Sequence, residues 1–378
     1  MSTMRQSDLI IVGAGIMGLA HAYHAARKGM SVTVIERDPE ASGASIRNFG
    51  MLATIAQAPG INMERGRRSQ VIWQELAAET GFSLRKTGCL IVAASDVEMT
   101  VLQSFVSTAE RDGHTATMVP RKQLQDYVPS LRTDTAKGGL WAPDVWKIDQ
   151  RTAMKSLAAW LHKAHGVTFH FGVNVEAVTV PDVTTSNGGF SANCVIVCAG
   201  SEFHTLFPDA FAATGIRTCQ LQMLRTAPRP APASCLPFIL GGLSIARYEA
   251  FAACDGMGDL QAQLEQDYPD HIANGIHVIA CAEDDGTITI GDSHTYSADS
   301  LPGRSPEIDN LILGYLEERL ALPNCTIAER WLGHYASLPG TDVLRLNPSG
   351  GVELVTMTNG QGITHGPAIA EETIAALG

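Results

Sequence analysis

The sequence predicts an α/β fold that also contains an antiparallel or mixed sheet. Three observations support this prediction. Residues 8–36 alternate a strand, a helix and a strand, and a glycine-rich turn joins the first strand to the helix. Short strand-like segments between residues 221 and 290 follow one another closely, as in an antiparallel sheet. The chain of 378 residues is long enough for about two domains of ~100–200 residues each.

The first elements form a strand–helix–strand unit. Residues 8–12 are a short apolar run, which is typical of a strand buried on both faces. Residues 16–28 are alanine-rich and contain no helix breaker, so they predict a helix that ends at Gly29. Residues 31–35 alternate and are β-branched, which predicts a second strand that ends at Glu36.

The remaining elements are predicted from periodicity and from helix and turn signals. Further helices are predicted over residues 66–80, 97–111, 151–165, 305–320 and 367–377. Further strands are predicted over residues 89–94, 167–171, 173–178, 194–198, 221–225, 242–247, 275–280, 287–290 and 352–357, and a late strand is expected to contain Trp331. The turn-rich residues 138–144 are predicted to mark a domain crossing, and residues 228–237 to form a surface excursion.

Composition and charge exclude several classes of protein. Lys and Arg number 27 against 39 Asp and Glu, and the net charge of −12 argues against a nucleic acid partner. No uninterrupted apolar run reaches the ~18 residues of a transmembrane helix, so a cytoplasmic protein with no membrane partner is expected. The eight cysteines form no CxxC pair and no zinc-finger spacing, so no metal site is expected and the cysteines are interpreted as buried small residues.

A dinucleotide site is predicted where the first strand meets the first helix. Gly13, Gly15 and Gly18 have the spacing that permits a tight turn, close approach of a pyrophosphate and close packing of helix against strand. The helix N-terminus offers free N–H groups to the phosphates. Glu36, at the end of the second strand, can accept hydrogen bonds from ribose hydroxyls.

The chain favours FAD over NAD as the dinucleotide. After the second strand it enters a loop of small and polar residues, 43–51, instead of a third parallel strand. Residues 360–366 are glycine-rich and precede a predicted helix, whose N-terminus would stabilise the negative charge of a reduced flavin.

These motifs, together with residues 45–51, Val175, 197–200, 331–333 and 360–364, resemble those of the D-amino-acid-oxidase-like FAD enzymes, whose members include glycine oxidase and monomeric sarcosine oxidase. The resemblance covers nearly the whole chain. Within that family the chain is most similar to a clade associated with phosphonate breakdown. Residues 47–51, 220–226 and 291–294 carry this closer similarity.

The resemblance implies a Rossmann-like FAD-binding domain interleaved with an α+β substrate domain. Residues 1–85, 140–215 and 325–378 are expected to form the first, and residues 86–139 and 216–324 the second. Non-covalent FAD is expected, since neither Arg47 nor Asn48 is a usual attachment residue. The residues expected to bind the cofactor are Gly13, Gly15, Ile16, Met17, Gly18, Glu36, Arg37, Ser45, Arg47, Asn48, Gly50, Met51, Val175, Ala199, Gly200, Gly333, Gly360, Gln361, Gly362, Ile363 and Thr364.

One departure from the family bears on the substrate. Glycine-oxidase-like enzymes have an arginine two residues after the glycine of the Trp-x-Gly motif, and it clamps the substrate carboxylate. Here that position is Tyr335, so a planar, bidentate clamp is missing from it. A tetrahedral, more highly charged phosphonate could instead be held by several separate donors.

The candidate substrate-binding and catalytic residues are Tyr335, Arg247, His294, His277, Tyr248 and Met51. Arg247 and Tyr248 are expected to end a strand, and His277 to lie on one. Three of these residues also have simpler interpretations: Arg247 as a surface ion pair, His277 as a core histidine and His294 as a turn residue.

Three hypotheses for the function follow. The first is oxidation of a small aminophosphonate, such as 2-aminoethylphosphonate or its N-methyl form, to phosphonoacetaldehyde, an amine and H₂O₂, with O₂ or another compound as electron acceptor. The second is oxidation of glycine, sarcosine or a D-amino acid. The third, from another class, is a flavin-binding electron-transfer subunit of a hetero-oligomer. The sequence leaves the oligomeric state open.

Overall fold

The computed structural model describes residues 5–229, 236–299, 301–322 and 326–377. The strands are β1 (Arg5–Val12), β2 (Val32–Glu36), β3 (Met51–Leu52), β4 (Leu84–Lys86), β5 (Cys89–Ala93), β6 (Thr117–Pro120), β7 (Gly138–Ala142), β8 (Trp146–Ile148), β9 (Thr168–Phe171), β10 (Val175–Thr179), β11 (Asp182–Thr185), β12 (Gly188–Val197), β13 (Arg217–Thr226), β14 (Phe238–Leu240), β15 (Ile279–Ala282), β16 (Ile288–Gly291), β17 (Thr295–Ser297), β18 (Ile327–Ser337), β19 (Val343–Ser349) and β20 (Val352–Met357). The helices are α1 (Ile16–Arg27), α2 (Ile61–Thr80), α3 (Asp96–Thr108), α4 (Leu124–Tyr127), α5 (Gln150–His165), α6 (Pro208–Ala212), α7 (Gly242–Arg247), α8 (Met257–Asp267), α9 (Pro269–Ala273), α10 (Pro306–Glu317) and α11 (Gly362–Ala376).

The first sheet is built around β1, whose residues Leu9, Ile10 and Ile11 are fully buried. Such a strand must be covered on both faces, as expected for parallel α/β structure. β1 pairs in parallel with β2 on one side and with β12 on the other, and β9 pairs in parallel with β2. The predicted strand–helix–strand unit and the α/β fold class are therefore confirmed.

β12 is long enough to pair with two strands along one edge. Its first half pairs antiparallel with β11, and its last residues pair in parallel with β20. The sheet therefore takes strands from three separated parts of the chain, residues 5–36, 168–197 and 343–357. The proposed domain boundaries themselves stay a prediction.

The second sheet is mixed, and β13 and β18 form its longest antiparallel pair. In this register Arg217 lies opposite Ser337, Cys219 opposite Tyr335, and Leu221 opposite Gly333. Directly opposed residues, and residues two apart on one strand, share a face of a sheet. This face carries Arg217 and Tyr335. A third, small sheet joins β3, β8 and β4.

The structure corrects the predicted strand over residues 242–247, which is the short helix α7. Leu243 and Ile245 are both buried, and their alternation is the reason that the sequence indicated a strand. A segment of six residues is too short for its hydrophobic period to distinguish a strand from a helix. Arg247 and Tyr248 therefore follow a helix and do not end a strand.

The predicted strand over residues 275–280 begins only at Ile279, so His277 precedes β15 and does not lie on a strand. Gly275 has a φ of +57° and belongs to the turn that follows α9, which keeps residues 275–278 out of the strand.

The turn-rich residues 138–144 are predicted to mark a domain crossing, but residues 138–142 form β7, between β5 and β6. The glycines there serve close packing: a Cβ on Gly139 would lie 2.6 Å from the Ile91 carbonyl oxygen. Of the predicted surface excursion, residues 230–235 lie outside the described residues.

The helix near residue 367 begins earlier than predicted. α11 starts at Gly362 and contains Pro367. A proline inside a helix leaves the carbonyl four residues before it without an N–H donor. That carbonyl belongs to Ile363, and the indole N–H of Trp73 donates to its oxygen at 2.8 Å. The side chain of Trp73 replaces the missing backbone donor, so the helix can continue through the proline. Among the described residues, none of the helices combines the length and the apolar character that crossing a membrane requires.

Candidate active site

A cleft of about 650 Å³ lies against the start of α1, the loop after β2, the start of α11 and the shared face of β13 and β18. A smaller cavity of about 140 Å³ lies at the ends of β1 and β2, and Cys198 and Gly200 line both spaces. The two spaces thus follow each other along one edge of the first sheet, where open α/β sheets bind their ligands.

Two glycines of the first turn are required by packing. Gly13 has a φ of +102°, and a Cβ on it would lie 2.5 Å from the Cys198 carbonyl oxygen. A Cβ on Gly18 would lie 1.9 Å from the Gly13 carbonyl oxygen. At Gly15 the nearest atom would be only the Ser45 hydroxyl oxygen, at 3.1 Å. Gly15 therefore leaves room for a ligand at the start of α1, where Ser45 accepts a hydrogen bond from the Ile16 N–H at 2.9 Å.

The Glu36 carboxylate is fixed at the end of β2. Its Oε2 accepts a hydrogen bond from the Ala14 N–H at 2.7 Å, and its Oε1 accepts one from the Asp38 N–H at 3.0 Å. Each carboxylate oxygen can accept a further hydrogen bond. Glu36 lines the smaller cavity with Val175, so it is placed to accept bonds from the hydroxyls of a ribose.

The loop after β2 is held mainly by its own polar groups. Asn48 donates to the Ala44 carbonyl at 2.7 Å and accepts from the Gly50 N–H at 2.7 Å. Arg47 donates to the carbonyl of Ser42 at 2.7 Å and to that of Leu332 at 3.1 Å. These bonds tie the loop to the middle residue of the Trp-x-Gly motif and keep its backbone against the cleft.

The first turn of α11 opens onto the cleft. Its N-terminal cap residue, Gln361, makes no side-chain capping bond, and the residues of this turn line the cleft, so the positive end of the helix dipole lies beside it. Thr364 accepts a hydrogen bond from the Ala53 N–H at 3.1 Å, which fixes this turn against β3. Gly360 has a φ of +75°, and a Cβ on it would lie 3.1 Å from the Tyr335 ring. Gly360 thus allows Tyr335 to lie directly against the turn.

Two arginines converge on one tyrosine at the far end of the cleft. Arg247 Nη2 donates to the Tyr296 hydroxyl at 3.1 Å. The guanidinium carbon of Arg217 lies 4.6 Å from the centre of the Tyr296 ring. Arg217 Nε is buried and has no hydrogen-bond partner among the residues that the structure describes. This end of the cleft therefore has a local positive charge and an unused donor.

A buried group of His277, Asp292 and His294 lies beside the arginines. The backbones of His277 and Asp292 exchange hydrogen bonds of 3.1 and 3.0 Å, which hold the two segments together. His277 Nε2 lies 3.2 Å from Asp292 Oδ1, and His294 Nε2 lies 4.0 Å from Asp292 Oδ2. The two imidazole rings stack, with 5.2 Å between their centres.

Burial shifts the pKa values of this group. Burial lowers the pKa of His277 and of His294 well below the ordinary value, and the charge of Arg247 acts in the same direction. Burial raises the pKa of Asp292 to about 7, although Arg247 opposes the rise. Shifted pKa values in a cleft are characteristic of functional sites.

The structure brings the six candidate substrate-binding residues into the cleft. Those that line it are Tyr335, Arg247, His294, His277, Tyr248 and Met51. Of the predicted cofactor residues, the cleft is lined by Ile16, Met17, Ser45, Arg47, Asn48, Met51, Gly200, Gly333, Gly360, Gln361, Gly362, Ile363 and Thr364, and the smaller cavity by Gly13, Gly15, Glu36, Arg37, Val175, Ala199 and Gly200. Arg37 also pairs with Glu202 at 3.1 Å. Gly18 and Gly50 line neither space; a Cβ on Gly18 would collide with the backbone of Gly13, and a Cβ on Gly50 with that of Ile148.

Sequence reasoning missed Arg217, Tyr296 and Asp292, which also line the cleft. Asp292 lies in the segment 291–294 that carried the closer family similarity, so one signal for it was present. Arg217 and Tyr296 gave no signal, because their proximity depends on the pairing of β13 with β17 and β18.

The geometry fits a flavin dinucleotide: an uncapped helix start lies at each end, a carboxylate stands at the ribose position, and glycines leave room between them. The model of the family "FAD dependent oxidoreductase" matches residues 8–376. The chain therefore belongs to this family, FAD is its cofactor, and the resemblance to the D-amino-acid-oxidase-like enzymes is confirmed. The closer similarity to a clade associated with phosphonate breakdown stays a prediction.

Individual relatives are distant. The chain is 26% identical over 206 residues to human mitochondrial dimethylglycine dehydrogenase, covering 52% of this chain and 23% of the relative. It is 26% identical over 210 residues to N-methyl-L-tryptophan oxidase of Yersinia pestis (strain Pestoides F), covering 53% of this chain and 55% of the relative. The chain thus spans about half or less of these proteins. Glycine oxidase from Geobacillus kaustophilus has a similar fold, with a TM-score of 0.78 and 16% identity over 99% of this chain and 95% of that one.

Proposed function

We propose that this flavoprotein oxidises a small amine that carries a doubly charged anionic group, of which 2-aminoethylphosphonate and its N-methyl form are the model compounds. The observation that supports this substrate class is the convergence of Arg217 and Arg247 on Tyr296. The products would be phosphonoacetaldehyde and the free amine.

The charges of the cleft favour a phosphonate over a carboxylate. One bidentate arginine is enough for a planar carboxylate with one negative charge. Two separate guanidinium groups, together with the Tyr335 hydroxyl in the same cleft, suit a tetrahedral group that has more charge and more acceptor oxygens than a carboxylate. Burial raises the pKa of Tyr335 well above its ordinary value, so the phenol stays protonated and can donate to an anion.

The protein's residues would bind, orient and shield the substrate. FAD, when bound, supplies the acceptor for the hydride that leaves the carbon next to the substrate nitrogen. The arginines would fix the anionic end, so that the carbon–nitrogen end lies toward the first turn of α11. That turn would stabilise negative charge on the cofactor through its N–H groups and dipole. Water then hydrolyses the imine, and O₂ or another acceptor takes the electrons.

The second candidate function is oxidation of glycine, sarcosine or a related amino acid. The similarity to a dimethylglycine dehydrogenase and an N-methyl-L-tryptophan oxidase favours it, because both names describe N-methylated amino acids. This function requires that a residue other than Tyr335 binds the substrate carboxylate.

A spectral titration of the purified flavoprotein separates these candidates. Under anaerobic conditions, 2-aminoethylphosphonate or its N-methyl form is expected to bleach the flavin absorbance, while glycine and sarcosine leave it unchanged at equal concentration. Bleaching by glycine or sarcosine alone would overturn the aminophosphonate proposal. A flavin that no amine reduces without a second protein would instead support an electron-transfer subunit.

A further inference from the structure

Two hydrogen-bond acceptors face each other in the cleft with no donor between them in the described structure. We call Asp292 Oδ2 and His294 Nε2, which lie 4.0 Å apart, the acceptor notch. Both side chains are more than nine-tenths buried, and both line the cleft.

The state of His294 follows from its hydrogen bond. His294 Nδ1 lies 2.9 Å from the Gly275 carbonyl oxygen. A carbonyl oxygen only accepts, so Nδ1 carries the proton of the neutral ring, and Nε2 presents a lone pair to Asp292. Burial keeps this ring neutral, because it lowers the pKa of His294.

His277 completes the arrangement on the other side of Asp292. Its Nε2 lies 3.2 Å from Asp292 Oδ1 without forming a hydrogen bond, so Oδ1 is buried with no hydrogen-bond partner among the described residues. Oδ1 of Asp292 is thus left without a donor, and Oδ2 faces His294 in the notch. A lone pair facing a carboxylate is repulsive unless a hydrogen-bond donor lies between them, and a positively charged donor gains most from the carboxylate.

We infer that the acceptor notch binds the ammonium group of the substrate and removes one of its protons before oxidation. This inference rests on the proposed function. Small amines enter at neutral pH as ammonium ions, because the pKa of an alkylamine is about 10.4. An ammonium ion has no lone pair with which to assist loss of hydride from the neighbouring carbon. In the step, one N–H bond breaks, its electron pair stays on nitrogen, and the proton moves to the notch.

The electrostatic surroundings suit this role. The titratable groups near Asp292 are Arg247 after α7, Tyr248, His277 before β15, His294, and Cys219 on β13. Arg247 opposes the rise that burial causes, and the pKa of Asp292 ends at about 7. A general base works best when its pKa is close to the working pH. Above pH 7 the notch is therefore unprotonated and ready to accept a proton.

Stopped-flow reduction of the FAD-loaded protein tests the inference. The wild type and Asp292→Asn are mixed anaerobically with the amine that reduces the flavin, and the second-order reduction rate is compared from pH 6.5 to pH 10. Without the notch only free amine reacts, so the variant is expected to be at least about 100-fold slower at pH 7.5 and to approach the wild type near pH 10. Dividing the rate of the variant by that of the wild type at each pH cancels the effect of any ionisation that changes both rates equally.

A matched control is Asp285→Asn, which makes the same change in the turn at the other end of the β15–β16 hairpin, where Asp285 pairs with Arg151. Its pH profile is expected to equal that of the wild type. If Asp292→Asn does not fold, His294→Gln tests the other half of the notch with the same expected profile.

The possible outcomes are distinct. A rate ratio that is constant across pH overturns the inference and leaves the proposed function intact. A wild type that no amine reduces overturns both. The ligand atoms of His277, Asp292 and His294 lie within 4.8 Å of one another, so metal analysis of the purified protein is the second measurement. We expect no stoichiometric metal, and one bound divalent cation per chain, with reduction lost on its chelation, would overturn the proton-acceptor role.

Discussion

Arg217 shows how a charge can be supplied from a neighbouring strand. The family resemblance places an arginine at position 335, and this chain has a tyrosine there. Arg217 lies on the adjacent strand, two residues from Cys219, which is directly opposite Tyr335, and on the same face as Tyr335. A guanidinium group is therefore still present at this end of the cleft, but it approaches from β13 and not from β18.

Replacing Arg217 tests whether it holds the substrate anion. We expect Arg217→Met to raise KM for an aminophosphonate by about 10- to 100-fold, because a hydrogen bond to a charged group is worth about 1.5–3 kcal/mol. Steady-state kinetics measure this. Arg132→Met, which removes an exposed arginine paired with Asp134, is the control and should leave KM unchanged. Equal KM values for the Arg217 variant and the wild type would remove Arg217 from the substrate site.

Replacing Glu36 tests the ribose contact. Glu36→Gln keeps one acceptor oxygen but removes the charge, so we expect FAD to bind about 10- to 100-fold more weakly. Fluorescence titration of the apoprotein with FAD measures the Kd. Glu75→Gln, at a half-exposed partner of Arg27, is the matched control. The ribose role would be refuted by a Kd that does not differ between the two variants.

Single residues were predictable where a local motif marked them. Glu36 follows a strand at a fixed distance from three glycines, and Tyr335 follows the Trp-x-Gly motif, so both could be found by counting along the chain. Arg217, Tyr296 and Asp292 come together only through strand pairing, which spans long distances in sequence. No local pattern contains that information.

Among the elements, α11 depends most on a distant side chain. Its proline is tolerated because Trp73, on α2, donates to the carbonyl of Ile363. The sequence predicts that the helix begins at the proline, since proline is tolerated in the first turn of a helix and is disfavoured in its interior. The earlier start matters for the site, because it places Gly362, Ile363 and Thr364 in the first helical turn.

Removing that donor should weaken both the fold and cofactor binding. Trp73→Phe leaves a buried carbonyl unpaired, and we expect the free energy of unfolding to fall by about 1–3 kcal/mol beyond any packing loss. FAD affinity should fall with it, because the first turn of α11 loses its support. Urea denaturation and FAD titration measure the two effects. Trp160→Phe, on the half-buried face of α5, should change FAD affinity little; equal FAD affinities in the two variants would contradict the role of Trp73.

Element prediction succeeded for long segments with a clear period and failed for short ones. α1, α3 and α5 lie close to their predicted bounds, because several turns of apolar spacing and a terminal glycine or cap define them. α7 has only six residues, and β7 owes its glycines to close strand contacts. In both, tertiary packing decides between conformations that the local sequence permits equally.

At the scale of the whole molecule, buried histidines make the fold sensitive to acid. Burial lowers the pKa of His21, His24 and His365 to about 4 each. Below pH 6.5 these residues are protonated in the unfolded chain and neutral in the folded one, so stability falls as the pH falls from 6.5 toward 4. Asp292, whose pKa is raised, acts in the opposite direction, but His277 and His294, whose pKa values burial lowers, act in the same direction as these three histidines.

We therefore expect the free energy of unfolding to fall on the order of 4 kcal/mol between pH 6.5 and pH 5. Urea denaturation of the protein at a series of pH values measures it. His204→Gln changes an exposed histidine and should keep the same slope. A free energy that stays constant over this range would show that these histidines can be protonated without unfolding.

The net charge of −12 must be reconciled with an anionic substrate. At physiological salt the Debye length is about 8 Å, so beyond that distance the net negative charge of the protein repels an anion only weakly. Inside the cleft, the nearby guanidinium groups of Arg217 and Arg247 dominate. The charge of the whole chain was predictable from composition, but this local reversal was not, because it depends on which residues the fold collects.

The strands of the first sheet lie far apart in the sequence, and this has a consequence for biosynthesis. β1 and β2 emerge from the ribosome long before β20 and α11, which supply one border of the sheet and one border of the flavin cleft. A nascent chain that lacks residues 343–376 has the glycine turn but not the opposite wall. FAD can therefore stabilise the protein only after nearly all of this sequence has been translated, and until then the edge of β12 that pairs with β20 is left open, which favours aggregation.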